Sequence, residues 1–319
     1  MDHRAGKATS ESFVKFVASN RERLEGALNE WLPISASPGT ERFNQALRYA
    51  IFPGGKRFRP FLTILASRLG GASGRQELAL ACAIEFIHNS SLVLDDLPGM
   101  DDAEFRRNQP ALHLRYGEGL AILVAVALLN QAYALFVIAG QSQRKKQNLE
   151  RLIMEATQCI GSRGMIAGQA ADLDLSGPQA RENALSSRES KTTGLMRLMM
   201  TCGGMVAAAS DLDLLALATY GESLGRAYQV YDDLIDKMGD SCLIGKNIGQ
   251  DSRHRRPTFI SGLGIEDAEE FAADLVKGGK NALMNRFGDR PASHLLIDAG
   301  DHFLWWFKSL GAVQKDASV

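Results

Sequence analysis

In the stretch LVLDDLPGMDDAEFRRNQP (residues 92–110), four aspartates, Asp95, Asp96, Asp101 and Asp102, crowd into eight positions, and Arg106 and Arg107 follow them. Like charges at 4 Å repel by up to about 4 kcal/mol per pair at an effective dielectric near 20, so such a cluster calls for compensating cations. A second cluster, YDDLIDKMGD, occupies 231–240. Asp232 and Asp236 are four apart and would share one face of a helix, with Asp233 beside them. The first cluster acquires the same spacing if two residues bulge out between Asp96 and Asp101, and Pro98-Gly99 could form that bulge. Three readings are open: solvated acidic helix ends, a calcium loop, or a Mg²⁺ site facing a phosphorylated ligand. The calcium loop requires a glycine at its sixth position and a glutamate at its twelfth, which neither cluster has. Mg²⁺ takes a few carboxylates and completes its shell with water and phosphate oxygens. That third reading requires cations for the phosphates. The sequence offers Lys56, Arg57 and Arg59 in GGKRFRP (54–60), Arg106 and Arg107, Lys191 ahead of Thr192, and Lys246 in IGKN.

Helices must carry these groups. Apolar periodicity and Ala-, Leu-, Met- and Glu-rich composition predict helices over 12–31, 41–50, 57–69, 76–94, 119–139, 147–174, 188–209 and 211–238. Breaks are expected at 33–38, Pro53-Gly54-Gly55, Pro98-Gly99, Gly177-Pro178 and 239–257. Alternating strand patterns are nearly absent, and no long Gly/Ser linker divides the chain. The expectation is one all-α domain over residues 1–319, with helical signals again from about 265 to 307 and poorly ordered ends near 1–10 and 309–319. Residues 119–140 are apolar enough to span a bilayer by length, but the Ala-rich run reads as a helix buried on all sides of a large helical protein. The polar N-terminus has no apolar signal region, so a cytoplasmic protein without stable membrane insertion is expected. A formal net charge of −1 argues against a nucleic-acid partner. The four cysteines are far apart and fit small buried thiols rather than a disulfide framework.

Taken together, GGKRFRP (54–60), EFIHNSSLVLDDLPGMDDAEFRR (85–107), GQAADL (168–173), KTTGL (191–195), GRAYQVYDDLIDKMGD (225–240) and GKNIGQD (245–251) resemble the trans-isoprenyl diphosphate synthases, or polyprenyl synthetases. The geranylgeranyl diphosphate synthases are the nearest likeness. The resemblance implies an all-α bundle of the isoprenoid synthase type with a central apolar cavity, Mg²⁺ (three ions with diphosphate bound) and a homodimer. It further implies isopentenyl and allylic diphosphates (dimethylallyl, geranyl or farnesyl) as substrates. Asp95 and Asp101 then correspond to metal ligands, supported by Asp96 and Asp102. Asp232 is the main ligand of the second motif, aided by Asp233 and Asp236. Gln169 and Asp172 line the same cavity, Asp172 on the metal side. Lys56, Arg59, His88 and Arg107 resemble the isopentenyl diphosphate pocket, and Arg106, Lys191 and Lys246 the clamp on the allylic diphosphate. Thr192, Gln229 and the backbone near Lys191 resemble the groups that stabilise the allylic cation. Arg256 stands where relatives usually carry lysine and keeps the charge of a phosphate contact with altered geometry. DHFLWWFKSL matches no recognised ending, so Trp305 and Trp306 read as packing or dimer contacts.

In this family the product grows beside the helix that ends at the first motif. Ser90 and Ser91 stand five and four residues before Asp95, so Ser90 lies roughly 7–8 Å below the metals at 1.5 Å per residue. Small side chains there leave the tunnel open to the level of Ile87 and Ala83, which implies a C20 product, with farnesyl or longer products as alternatives. A terpene cyclase is the rival class, but it would have no second diphosphate for GGKRFRP to bind. A non-catalytic partner subunit commonly lacks one acidic motif, and both are present here.

Overall fold

The computed structural model describes residues 3–141, 147–173, 180–238 and 264–317. The chain folds as helices α1 (His3–Trp31), α2 (Glu41–Ile51), α3 (Phe58–Leu69), α4 (Arg75–Asp95), α5 (Leu112–Tyr116), α6 (Glu118–Gly140), α7 (Gln147–Ile160), α8 (Met165–Leu173), α9 (Ala180–Val206), α10 (Asp211–Met238), α11 (Ile265–Phe287) and α12 (Pro291–Ala317). One antiparallel pair, β1 (Phe105–Arg106) and β2 (Gln109–Pro110), is the sole sheet among the described residues, with Phe105 opposite Pro110 and Arg106 opposite Gln109. The first described helix starts at His3 and the last ends at Ala317.

A continuous apolar core runs from Phe13 in α1 through α3, α4, α6, α9 and α10 to Phe307 in α12. Helix α4 is its spine: Ala79 through Ile84 are fully buried, and the helix packs on α3, α6 and α9. Small alanines on α4 and α6 let those axes approach while still excluding water. Two glycines bring α9 and α10 together at the level where chemistry-bearing residues sit. A Cβ on Gly225 would lie 2.6 Å from Thr193 Cα, and one on Gly221 would lie 2.5 Å from the Met196 carbonyl oxygen.

Two local expectations change. The segment expected as one helix over 147–174 is two, because the chain turns at Gly161–Gly164, where a Cβ on Gly164 would strike the Cys159 carbonyl oxygen. The apolar helix α6 is not buried on all sides: Ile122, Leu123 and Val126 are 44%, 56% and 57% exposed, so only the face toward α4 and its flanks against α2, α5 and α7 are core. Both α4 and α6 are long and apolar enough to cross a membrane, although α4 is largely buried within the protein. Helix α4 ends at Asp95, close to the end expected at residue 94, and residues 96–101 form successive turns around the break expected at Pro98-Gly99.

Candidate active site

The first acidic segment is built by backbone hydrogen bonds that fold it back on the helix end. Asp101 N–H donates to the Asp95 carbonyl (2.8 Å), Asp102 N–H to that of Leu97 (3.1 Å) and Ala103 N–H to that of Asp96 (3.2 Å). Pro98 and Gly99 occupy the outer turn, which matches their restricted and permissive backbones. Asp102 adopts φ 49°, a left-handed conformation that aspartate tolerates better than most residues. Asp95, Asp96 and Asp101 are thereby gathered, whereas Asp102 is exposed on the far side of the turn.

The strand pair follows at once and sets the arginines. Its two central residues, Arg107 and Asn108, have φ 54° and 61°, the two positive values that a type I′ turn needs. Arg106, on the strand, turns to the acidic segment and forks onto Asp96, with Nε 3.1 Å from each carboxylate oxygen and Nη2 also on Oδ1. Arg107, on the turn, points the other way and donates to the Gly54 carbonyl (2.8 Å).

The second wall comes from α8, α9 and α10. Lys191 Nζ donates to both oxygens of Asp95 (2.8 Å each) and to Gln169 Oε1 (2.5 Å), and Gln169 Nε2 lies 3.3 Å from Met100 Sδ. Thr192 Oγ1 donates to Gln229 Oε1 (3.4 Å), and Gln229 Nε2 donates to Asp233 Oδ1 (3.1 Å). The close approach at Gly225 aligns this second chain of contacts across α9 and α10. Asp232 is half-buried and Asp233 buried on α10, and Asp172 is buried on α8. Asp236 lies on the backbone of α10, one turn after Asp232, and Lys246 and Arg256 lie outside the described residues.

Electrostatics mark this centre as overloaded with carboxylates. Burial lifts the Asp95 carboxyl above its ordinary value; Lys191 opposes the shift, and the Asp101 charge adds to it. Asp96 is likewise raised, by burial first and by Asp101, against the pull of Arg106. Buried carboxylates that even a lysine and an arginine do not restore to their usual range are a donor set suited to a hard divalent cation. No three acidic, histidine or cysteine side chains converge as a ligand group among the described residues. Lys191 and Arg106 instead occupy the carboxylates, and a Mg²⁺ ion held by Asp95, Asp96 and Asp101 would take its remaining ligands from water and phosphate.

A separate cavity of about 430 Å³ opens beside the first cluster. Lys56, Arg59, His88 and Arg107 line it together with Tyr228 and with aromatic groups from both chain ends, Phe13 of α1 and His302, Phe303 and Trp306 of α12. Sequence reasoning missed the α12 members, because a tryptophan pair at a helical terminus has the same signature as ordinary packing. Burial holds the His88 imidazole well below its ordinary range, with the Arg59 and Arg107 charges acting in the same direction. Arg57 is not a phosphate ligand. It is buried, holds φ 53°, and bridges Glu85 (2.6 Å), Glu25 (2.9 Å) and the Ile51 carbonyl (2.7 Å). Its loss would leave Glu85 buried and unpaired, a defect costing about 3–5 kcal/mol. This anchor holds the GGKRFRP segment so that its flanking cations, Lys56 and Arg59, face the cavity.

Of the proposed chain-length residues, Ser90 is buried against α6, where its Oγ donates to the Ala125 carbonyl (2.9 Å). Ser91 Oγ folds back onto the His88 carbonyl (2.9 Å), and Ile87 is in the core.

The family model described as polyprenyl synthetase matches residues 40–283, about three-quarters of the chain. The chain belongs to the polyprenyl synthetase family. It is 32% identical over 285 residues to geranylgeranyl pyrophosphate synthase 4 of Arabidopsis thaliana, a match covering 88% of this chain and 75% of that one. It is 35% identical over 254 residues to the farnesyl diphosphate synthase of Escherichia coli (strain K12), covering 79% and 84% respectively. Among solved structures it is similar to a geranyltransferase from Helicobacter pylori, complexed with magnesium and isoprenyl diphosphate, at a TM-score of 0.77 and 27% identity over 92% of this chain and 98% of that one. The enzyme is therefore a prenyltransferase of the trans-prenyl diphosphate synthase type with the all-α isoprenoid synthase fold. Its family joins isopentenyl diphosphate to allylic diphosphates, and the two regions described above offer one acidic and one cationic site to match.

Proposed function

We propose that the enzyme condenses isopentenyl diphosphate head-to-tail with dimethylallyl, geranyl and farnesyl diphosphates, and that its main product is all-trans geranylgeranyl diphosphate. The observation carrying the chain length is the pair Ser90 and Ser91, whose hydroxyls fold onto neighbouring carbonyls and leave no bulky group one and a half turns below Asp95. Asp95, Asp96 and Asp101 on one side and Asp232, Asp233 and Asp236 on the other would hold Mg²⁺, three ions in all with the diphosphate bound. Bound Mg²⁺ supplies charge stabilisation for the departing diphosphate.

The chain's own groups do the rest. Lys191 and Arg106 exchange Asp95 and Asp96 for phosphate oxygens of the allylic substrate, aided by Lys246. Thr192 and Gln229, linked to each other, present oxygen dipoles to the allylic carbocation. Lys56, Arg59, His88 and Arg107 hold the isopentenyl diphosphate so that its double bond faces that carbon. The departing diphosphate then takes up the proton that the new chain loses. The surrounding apolar helices exclude water from the cation. The reading further takes the chain as a single domain, cytoplasmic, and a homodimer closed over the bare face of α6, with neither nucleic-acid partner nor membrane insertion.

Product chromatography after dephosphorylation tests it: with Mg²⁺, isopentenyl and dimethylallyl diphosphates should give mainly C20 alcohol, and Ser90→Phe should shift the product to C15. A dominant C15 product from the wild type overturns the chain-length reading. A cyclic hydrocarbon from one substrate alone overturns the reaction class.

A further inference from the structure

The cations around the two diphosphate sites are held in two different ways. Lys191 and Arg106 rest on carboxylates. Lys56 and Arg59 rest on rings: Lys56 Nζ is 2.9 Å from the centroid of Trp306, and Arg59 Cζ is 5.4 Å from that of Tyr228. No carboxylate among the described residues is within ion-pair distance of either. A ring face attracts a cation without neutralising it, so its full charge stays available to an anion. The buried Nε of Arg59 and Nδ1 of His302, both in the cavity wall, have no hydrogen-bond partner in the protein. Arg59 Nε is a buried donor that requires a partner, which a diphosphate oxygen supplies, and His302 Nδ1 can serve the same oxygens in its Nδ1–H tautomer.

Trp306 is itself braced. It packs edge-to-face on Phe307 (4.4 Å), which stacks on Tyr231 (4.6 Å, 14°) one residue before Asp232. It lies beyond residue 283, where the family match ends.

We propose that α12 forms a wall of the isopentenyl diphosphate pocket and that Trp306 is a positioning residue there, seating the Lys56 ammonium toward the diphosphate. This rests on the assignment of that cavity to isopentenyl diphosphate. With the ring in place, Lys56 meets the diphosphate already oriented; without it, the side chain must be ordered on binding.

The test is steady-state kinetics with each substrate varied in turn. Trp306→Leu should raise the KM for isopentenyl diphosphate about fivefold, with kcat and the allylic KM changed less than about twofold. Trp306→Phe, which keeps a ring face, should restore most of the loss. Unchanged KM values in Trp306→Leu overturn the proposal, as does a joint loss of kcat and both KM values in a variant that melts like the wild type. Should Trp306→Leu not fold, intrinsic fluorescence decides: inorganic pyrophosphate without Mg²⁺ should perturb the wild-type emission and not that of Trp306→Phe. An equal response in both overturns the proposal. The titration needs no turnover, so a wild type that binds pyrophosphate but does not condense the substrates refutes the proposed reaction and leaves the seat standing.

Discussion

The acidic centre and the cationic cavity lie on opposite sides of Arg106 and Arg107, and they solve opposite problems. At the centre, burial keeps Asp95 and Asp96 above their ordinary range although Lys191 and Arg106 pair with them. In the cavity the excess is positive, and it is tolerated because the cations sit on aromatic faces or accept backbone support, as Arg107 does from Gly54. One region is strained toward binding cations, the other toward binding anions. Charge excess of either sign in a low-dielectric setting is a cost to the empty protein that ligands relieve.

That contrast can be broken most severely at the centre. Asp95→Ala should lower kcat by about 10²–10³-fold, the loss expected when one preorganised electrostatic group is removed, as read from initial rates at saturating substrates and Mg²⁺. Chelation of Mg²⁺ should abolish condensation in the wild type, and its return should restore it. Next comes stability. Arg106→Ala leaves Asp96 buried without its fork and should cost about 2 kcal/mol in denaturant unfolding. Gly225→Ala forces α9 from α10 and should cost about 1–3 kcal/mol while separating Thr192 from Gln229, so thermal melting and kcat should fall together. The smallest effect belongs to the cavity. Burial brings the Lys56 ammonium down to about 8. Its charge is therefore largely present at pH 7 and lost progressively as the pH rises through 8 to 9. A bound diphosphate favours the charged form, so the KM for isopentenyl diphosphate should rise severalfold as pH climbs from 7 to 9. In Lys56→Ala that alkaline rise should vanish, and its persistence would assign the titration elsewhere.

The helical fold and the two acidic clusters were legible from the sequence because both are written in local pattern: long apolar periods ending in aspartates. The elements that orient the charges were not. Strands of two residues carry no alternation, and the turn between them is spelled Arg-Asn rather than with a glycine. Arg57 looked like its neighbours Lys56 and Arg59 because only the tertiary position of Glu25 and Glu85, on two other helices, separates an anchor from a phosphate contact. The break at Gly161–Gly164 lacks a proline, and the bare face of α6 is as apolar as the buried one, so composition could not tell them apart. Trp306 was read as packing for the same reason: its role appears only when the last helix is laid beside the segment at 54–60.

The turn that carries Arg106 and Arg107 has one more effect. All peptide bonds in the described chain are trans, so the two arginine Cα atoms are separated by about 3.8 Å whatever the helices around them do. Arg106 engages the acidic segment and Arg107 the loop at the cavity mouth. One peptide unit thus ties a contact in each half of the site, so a shift of this turn reaches both the acidic segment and the loop at the cavity mouth.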